Sequence, residues 1–264
     1  MDPVEVRAAY DEHLRRRADP GPRGRLEVDG PVVRVVAADP GDTEAWQAVL
    51  WSDLDGLAPA RVDAVVAAQV ERFAGTDWEW KLHSYDAPTD LPRRLVAAGL
   101  APEQEEALMV AEISDLDLDV RPPDGVRLEP VTGPEGAARL VAVHDAVFGG
   151  DHASVGRRVL EGLAADPPTT AAVVASAGDL PVSSGRLELH HGTPFASIWG
   201  GGTLPEWRGR GVFRALVAHR SRVAADAGFR WLQVDALPPS RPILARLGFV
   251  ELGTTTPYAP GRAR

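Results

Sequence analysis

The residues of this chain best suited to chemistry run Thr203-Leu204-Pro205-Glu206-Trp207-Arg208-Gly209-Arg210-Gly211-Val212-Phe213. Small and apolar residues from Phe195 to Trp199 predict a buried strand before this stretch. Ala215, Leu216, Val217, Val223 and Ala224 recur at helical spacing after it. A strand that turns through glycines into a helix exposes the first N–H groups of that helix, and the helix dipole favours an anion there. Gly209 and Gly211 carry no β-carbon, so the backbone can approach such an anion closely. The stretch therefore predicts a phosphate or pyrophosphate cradle. Glu188, His190 and His191 end the preceding strand and are candidates for a proton acceptor. For the two histidines beside Gly192-Thr193-Pro194, a solvated hairpin turn is the competing reading. Asp151, in Phe148-Gly149-Gly150-Asp151-His152, lies in a stretch that reads as a helix–helix turn.

Other chemistries are excluded or unsupported. The 264 residues include no cysteine, so disulfides, thiolate metal sites and cysteine nucleophiles are ruled out. There is no H-x-x-x-H pair, no calcium-type acidic loop and no G-x-S-x-G, and no metal is expected. Residues 1–125 carry 26 acidic and 13 basic side chains, against 12 and 15 in residues 126–264. The glycine-rich turn thus lies in the half that suits a polyanion. The acidic half either steers a cationic substrate or serves solubility. With that acidity and no aromatic interleaving, Arg208, Arg210 and Arg214 do not read as a nucleic-acid patch. No apolar run reaches the about 20 residues of a membrane span, and residues 1–7 hold no apolar signal core. A cytoplasmic protein with neither membrane nor nucleic-acid partner is expected.

The elements that must position the turn follow from periodicity and punctuation. Residues 4–17 predict an amphipathic helix stopped by Asp19-Pro20-Gly21-Pro22, and 26–37 a hairpin turning at Asp29-Gly30. Helices are expected over 42–50, 60–73 and 90–98, the last ended by Gly99, with strands over 78–85 and 107–113. Residues 115–124 have linker composition. Strand, helix (136–148), helix (153–164) and strands near 170–176 and 183–189 then lead to the strand before the turn. A strand over 231–235, a helix over 240–246 and a last extended segment to Tyr258 close the chain. The halves echo one another: Leu95 stands four residues before Gly99, and Leu244 four before Gly248, each in a strand–helix–glycine–strand order.

Arg208-Gly209-Arg210-Gly211-Val212-Phe213, the 231–235 strand and Leu247-Gly248-Phe249 together resemble the GCN5-related N-acetyltransferase (GNAT) superfamily over roughly residues 126–258. The first half resembles a degenerate copy that lacks the turn. The resemblance implies an α/β protein of two GNAT-like units, each a mixed central sheet flanked by helices, with residues 1–120 and 126–264 as the two domains. It implies acetyl-CoA in the C-terminal unit, where two parallel strands splay, with Gly202, Thr203, Leu204, Arg208, Gly209, Arg210, Gly211, Val212 and Phe213 as its contacts. The pantetheine arm would pair with the strand ending at Thr203 and Leu204, and the backbone near Gly202 and Thr203 would meet the oxyanion. A small, cationic amine would attack the thioester directly, with a base to neutralise it.

Two positions depart from the pattern. Phe213 stands where the family usually has glycine or alanine. Leu244 stands where many members have a tyrosine that protonates the leaving thiolate. Ser240 is the nearest hydroxyl to take that role, with an N-cap as its alternative, and Glu188 is the candidate base. A non-catalytic acyl-CoA sensor, or acylation of a protein lysine or N-terminus, are the alternative functions.

Overall fold

The computed structural model describes residues 1–261, which divide into two compact units. One comprises Met1–Leu108, Asp235–Arg241 and the strand residues from Glu251 on; the other comprises Met109–Val234 and Pro242–Val250. Neither unit is a single run of sequence, which departs from a division at 1–120 and 126–264. No helix among the described residues is long and apolar enough to cross a membrane.

The first unit begins with α1 (Pro3–Tyr10), whose Asp2 side chain accepts from the Val4 N–H and caps it, followed by a wider π-type turn over Asp11–Arg16. Strands β1 (Gly24–Asp29) and β2 (Val32–Ala37) form the expected hairpin, with Asp29 opposite Val32 and Gly30 at φ +58°. Next come β3 (Ala48–Ser52), α2 (Pro59–Arg72), β4 (Glu79–His83), α3 (Leu91–Ala97) and β5 (Leu100–Pro102). The chain leaves this unit within β6 (Glu106–Glu112).

The helix expected over residues 42–50 is not formed. Val49, Leu50 and Trp51 favour the pleated surface, and β3 pairs antiparallel with β2, Trp51 opposite Val33 and Ala48 opposite Val35. Asp42 holds the residues before β3 in a turn by accepting from the Glu44 N–H and the Arg23 guanidinium. Sheet pairing overrides helical periodicity here. The short β5, absent from the expectations, pairs with the chain's last strand.

In the second unit β7 (Val126–Pro130) leads to α4 (Pro134–Phe148) and α5 (Ala153–Ala164). Then come β8 (Thr170–Ala177), β9 (Leu180–Leu189), β10 (Phe195–Thr203), α6 (Val212–Asp226), β11 (Trp231–Ala236) and α7 (Arg241–Arg246). The last strand, β12 (Val250–Pro260), returns to the first unit, where Thr255 pairs with His83 on β4.

Strand order is β1-β2-β3-β4-β12 in the first unit and β11-β10-β9-β8-β7 in the second. Each sheet is mixed: β3 and β4 run parallel, as do β10 and β11, and the hairpins are antiparallel. In the second unit successive residues of β8 face opposite layers. Ala172 and Val174 pack with Leu140, Val155 and Val159 of α4 and α5, while Val173 and Ala175 pack with Val212 and Leu216 of α6. Helices cover both faces, and the chain passes from the carboxyl end of β10 through a short turn into α6.

Candidate active site

The strand ending at Thr203 contains three consecutive glycines, and the structure gives each a reason. Trp199 stands opposite Arg186 of β9, but Gly202 stands opposite Ser184, so one extra residue of β10 bulges out of register between them. A β-carbon on Gly200, itself at φ +58°, would lie 2.4 Å from His144 Cε1. On Gly202 it would lie 3.0 Å from Val147 Cγ1, and on Gly201 it would lie 2.8 Å from Phe213 Cε2. Gly200 and Gly202 thus face α4, and Gly201 faces α6, each too closely for a side chain. The ladder between β10 and β11 spans Phe195–Ser197 against Trp231–Gln233, and β10 runs on past it to Thr203.

Arg220 of α6 reaches the bulge from beneath. Its Nε donates to Leu216 O (3.1 Å), and its Nη1 donates to the carbonyls of Arg186 (3.2 Å) and Trp199 (3.5 Å), the two residues that flank the slip in register. Gly185 leaves the room for it: a β-carbon there would be 2.6 Å from Nη1. Nη2 is buried without a hydrogen-bond partner among the described residues. Burial, with Arg186 nearby, lowers the guanidinium pKa to about 10. In the sequence Arg220 is one of several arginines between the apolar positions of this helix, and a strand glycine at 185 opposite a helix arginine is the signal that could have found it.

Beyond β10, the chain turns through a short 3₁₀ segment over Pro205–Trp207 into α6. Leu204 N donates to Val182 O (2.9 Å), and Ser183 Oγ donates to Gly202 O (2.6 Å), which fixes the end of the strand to β9. Gly211 sits at φ +87°, ψ −2° as the N-cap of α6, with no side chain capping the helix. The open N–H groups of Val212, Phe213 and Arg214 are therefore available to an anion. A β-carbon on Gly209 (φ +71°) or Gly211 would meet nothing within 4 Å, so this backbone faces open space. Arg208 Nε donates to Thr203 O (3.0 Å), and the Arg210 guanidinium lies over the Trp207 ring, 4.8 Å from its centroid. The Phe213 ring fills the space beside Gly201, so its departure from a small residue is matched by a missing side chain opposite.

The remaining candidates are placed as follows. Glu188 is paired with Arg186 on its own strand, Oε1 to Nε 3.2 Å. Ser197 Oγ donates to Gln233 Oε1 (2.7 Å), so the His190 Nε2 at 2.8 Å from the same oxygen is a donor. His191 Nε2 donates to Pro168 O (2.8 Å). Ser240 Oγ turns back to the Leu237 carbonyl (3.0 Å), and Leu244 is buried. Asp151 Oδ1 accepts from the Ala153 N–H (2.8 Å), a local cap at the start of α5.

Sequence reasoning passed over a second cluster, on the α4 side of the bulge. His144 is buried against Gly200, its Nδ1 without a partner among the described residues, and burial with Arg186 lowers its pKa to about 4. Its ring meets Phe148 (centroids 4.8 Å) and His152 (5.1 Å). Asp145 Oδ1 accepts from both the backbone N–H and Nδ1 of His152, each at 2.9 Å. Those hydrogen bonds hold the Asp145 carboxyl below the usual carboxylate range. Among the described residues no group of three or more His, Asp or Glu side chains could hold a metal ion.

No family model matches the sequence, and no curated protein does. Solved structures do match. A GCN5-related N-acetyltransferase from Kribbella flavida superposes with a TM-score of 0.71 over 98% of this chain and 96% of that one, at 19% identity. A tandem GNAT protein from the clavulanic acid biosynthesis pathway gives 0.61 over 92% and 85%, at 14% identity. A GCN5-related N-acetyltransferase from Sphaerobacter thermophilus gives 0.60 over 89% and 81%, at 16% identity. At these identities the likeness establishes the fold: this chain has the GNAT fold, a mixed sheet flanked by helices, along nearly its whole length.

Proposed function

We propose that the chain is an acyltransferase that moves an acetyl group from acetyl-CoA to an amine. One observation carries this reading: a strand that outruns its parallel partner ends at an uncapped helix N-terminus whose Gly209 and Gly211 face open space. The pyrophosphate would rest on the N–H groups of Gly209 to Phe213, and the pantetheine amides would pair with the backbone of β10 up to Leu204. Gly202 and Thr203 then flank the thioester carbonyl. The amine nitrogen attacks that carbon, the C–N bond forms, and collapse of the tetrahedral oxyanion breaks the C–S bond and releases the thiol. Arg208 and Arg210 add positive charge beside the phosphates.

The acidic excess of residues 1–125 favours a small cationic amine as acceptor, by steering. The lack of cysteine agrees with a cytoplasmic setting. A second reading, a non-catalytic acyl-CoA sensor, is favoured by Leu244: at that place on α7 the chain offers a buried hydrocarbon and no acid for the leaving thiolate. Thiol release from acetyl-CoA across a panel of primary amines separates the two. Turnover with any amine supports transfer; acetyl-CoA binding with no release supports the sensor.

A further inference from the structure

We infer that His152, oriented by Asp145, is the general base that takes the proton from the incoming amine. This rests on the acyl-transfer reading above and names a residue for a step that reading leaves open.

The two faces of β10 differ in what could serve as a base. On the α6 face, Gly201 is covered by the Phe213 ring, with the buried Arg220 guanidinium beside it, and neither is a base. The α4 face, where Gly200 and Gly202 meet His144, Val147 and Phe148, carries the imidazoles of His144 and His152. His144 is 6% exposed and wedged against the Gly200 backbone. His152 is the outer of the two: its side chain is 27% exposed, and its ring lies against those of His144 and Phe148.

The tautomer of His152 is fixed by its partner. An ionised carboxylate only accepts, so the Nδ1 that lies 2.9 Å from Asp145 Oδ1 carries the proton and Nε2 carries the lone pair. The hydrogen bonds of His152 run from its backbone N–H and Nδ1, and none among the described residues engages Nε2. Asp145 grips the residue twice, through backbone and ring, which fixes the imidazole just after the Gly149-Gly150 turn. A carboxylate-held imidazole with its far nitrogen free is the arrangement a general base needs. Glu188 Oε1, His190 Nε2, His191 Nε2 and Ser240 Oγ are each engaged elsewhere.

The proton balance is simple. An ammonium substrate gives one proton to His152 Nε2, directly or through one water, and becomes a neutral amine. That amine forms the C–N bond as the C–S bond breaks. The thiolate takes up the second proton lost by the nitrogen, and His152 returns its own proton to solvent.

The test compares wild type, His152→Ala and Asp145→Asn in thiol release from acetyl-CoA, with strongly basic aliphatic amines and with weakly basic aromatic amines. Aliphatic amines have pKa near that of lysine, about 10.4, and must lose a proton first; aromatic amines are already neutral at pH 7. His152→Ala is expected to lower kcat/KM for aliphatic amines by about 10²–10⁴-fold and to spare aromatic ones. Raising the pH towards the amine pKa should restore part of its loss with aliphatic amines. Asp145→Asn should fall in the same selective way, because it removes the negative charge that stabilises the imidazolium formed when Nε2 takes the proton. Equal losses for both amine classes, or no loss, overturn the assignment while leaving acyl transfer intact. No thiol release by wild type with any amine overturns the transfer reading itself.

Discussion

Gly200→Ala tests the close packing of the β10 bulge, and its cost can be worked from two parts. The first is conformational: φ is +58°, and an L-residue held in the left-handed region costs about 1–2 kcal/mol. The second is steric. The new methyl would lie 2.4 Å from His144 Cε1 and 2.9 Å from Nε2, and forcing apart a close-packed contact of this kind costs about 1–3 kcal/mol. Together they reach about 2–5 kcal/mol, a large share of the about 5–15 kcal/mol that holds a domain folded. A double-mutant cycle separates the parts. His144→Ala removes the ring the methyl meets, so Gly200→Ala in that background should cost only the conformational part. The expected coupling is about 1–3 kcal/mol, read from urea unfolding of the four proteins followed by tryptophan fluorescence. If Gly200→Ala costs the same with and without the His144 ring, the bulge does not sit against α4 as described, and the geometry assigned to the candidate site is wrong.

Further predictions concern the first unit. Burial and the neighbouring Asp235 push the Glu106 pKa up to about 7, so the protonated acid is favoured in the fold. Its stability contribution is full below the ordinary value of 4.5 and is lost as pH rises through about 7. Glu106→Gln should therefore flatten unfolding free energy between those limits, and stabilise the protein at pH 8 by about 1–2 kcal/mol after discounting for exposure; an unchanged pH profile would refute this. Lys81, the only lysine, is partly buried with its ammonium on the buried Asp235. Lys81→Met should destabilise by about 3–5 kcal/mol by taking the cation away from a buried carboxylate, and Asp235→Asn added to it should recover part of the loss. No recovery in chemical denaturation would mean that the pair is not coupled.

Much of this architecture was legible in the residues, for identifiable reasons. The turn at Arg208–Phe213 could be read because Gly209 and Gly211 both need positive φ, a local demand that leaves a local mark. The Asp29-Gly30 hairpin and the glycines after α3 and α7, Gly99 at φ +93° and Gly248 at φ +104°, left marks of the same kind. The features that were not legible depend on a partner distant in sequence. β3 is a strand because β2 lies beside it, which residues 42–50 do not disclose. Nothing local marks the crowding at Gly200, Gly201 and Gly202, since the bulge exists only in register with β9 and the close contacts only against α4 and α6. The Asp145–His152 pair was hidden because the six residues between them leave a helix and turn through two glycines before the groups meet at the start of the next helix.

The central claim is that the backbone around Gly211 holds the phosphates of acetyl-CoA, and calorimetric titration of acetyl-CoA tests it most directly. Wild type is expected to bind one acetyl-CoA per chain. Gly211→Val should abolish binding: its side chain enters space now open, where it meets nothing within 4 Å, and the residue cannot hold φ +87° without strain. Desulfo-CoA should still bind wild type, because the phosphates rather than the thioester make these contacts. Absence of acetyl-CoA binding by the wild-type chain, or undiminished affinity in a folded Gly211→Val protein, would contradict the account.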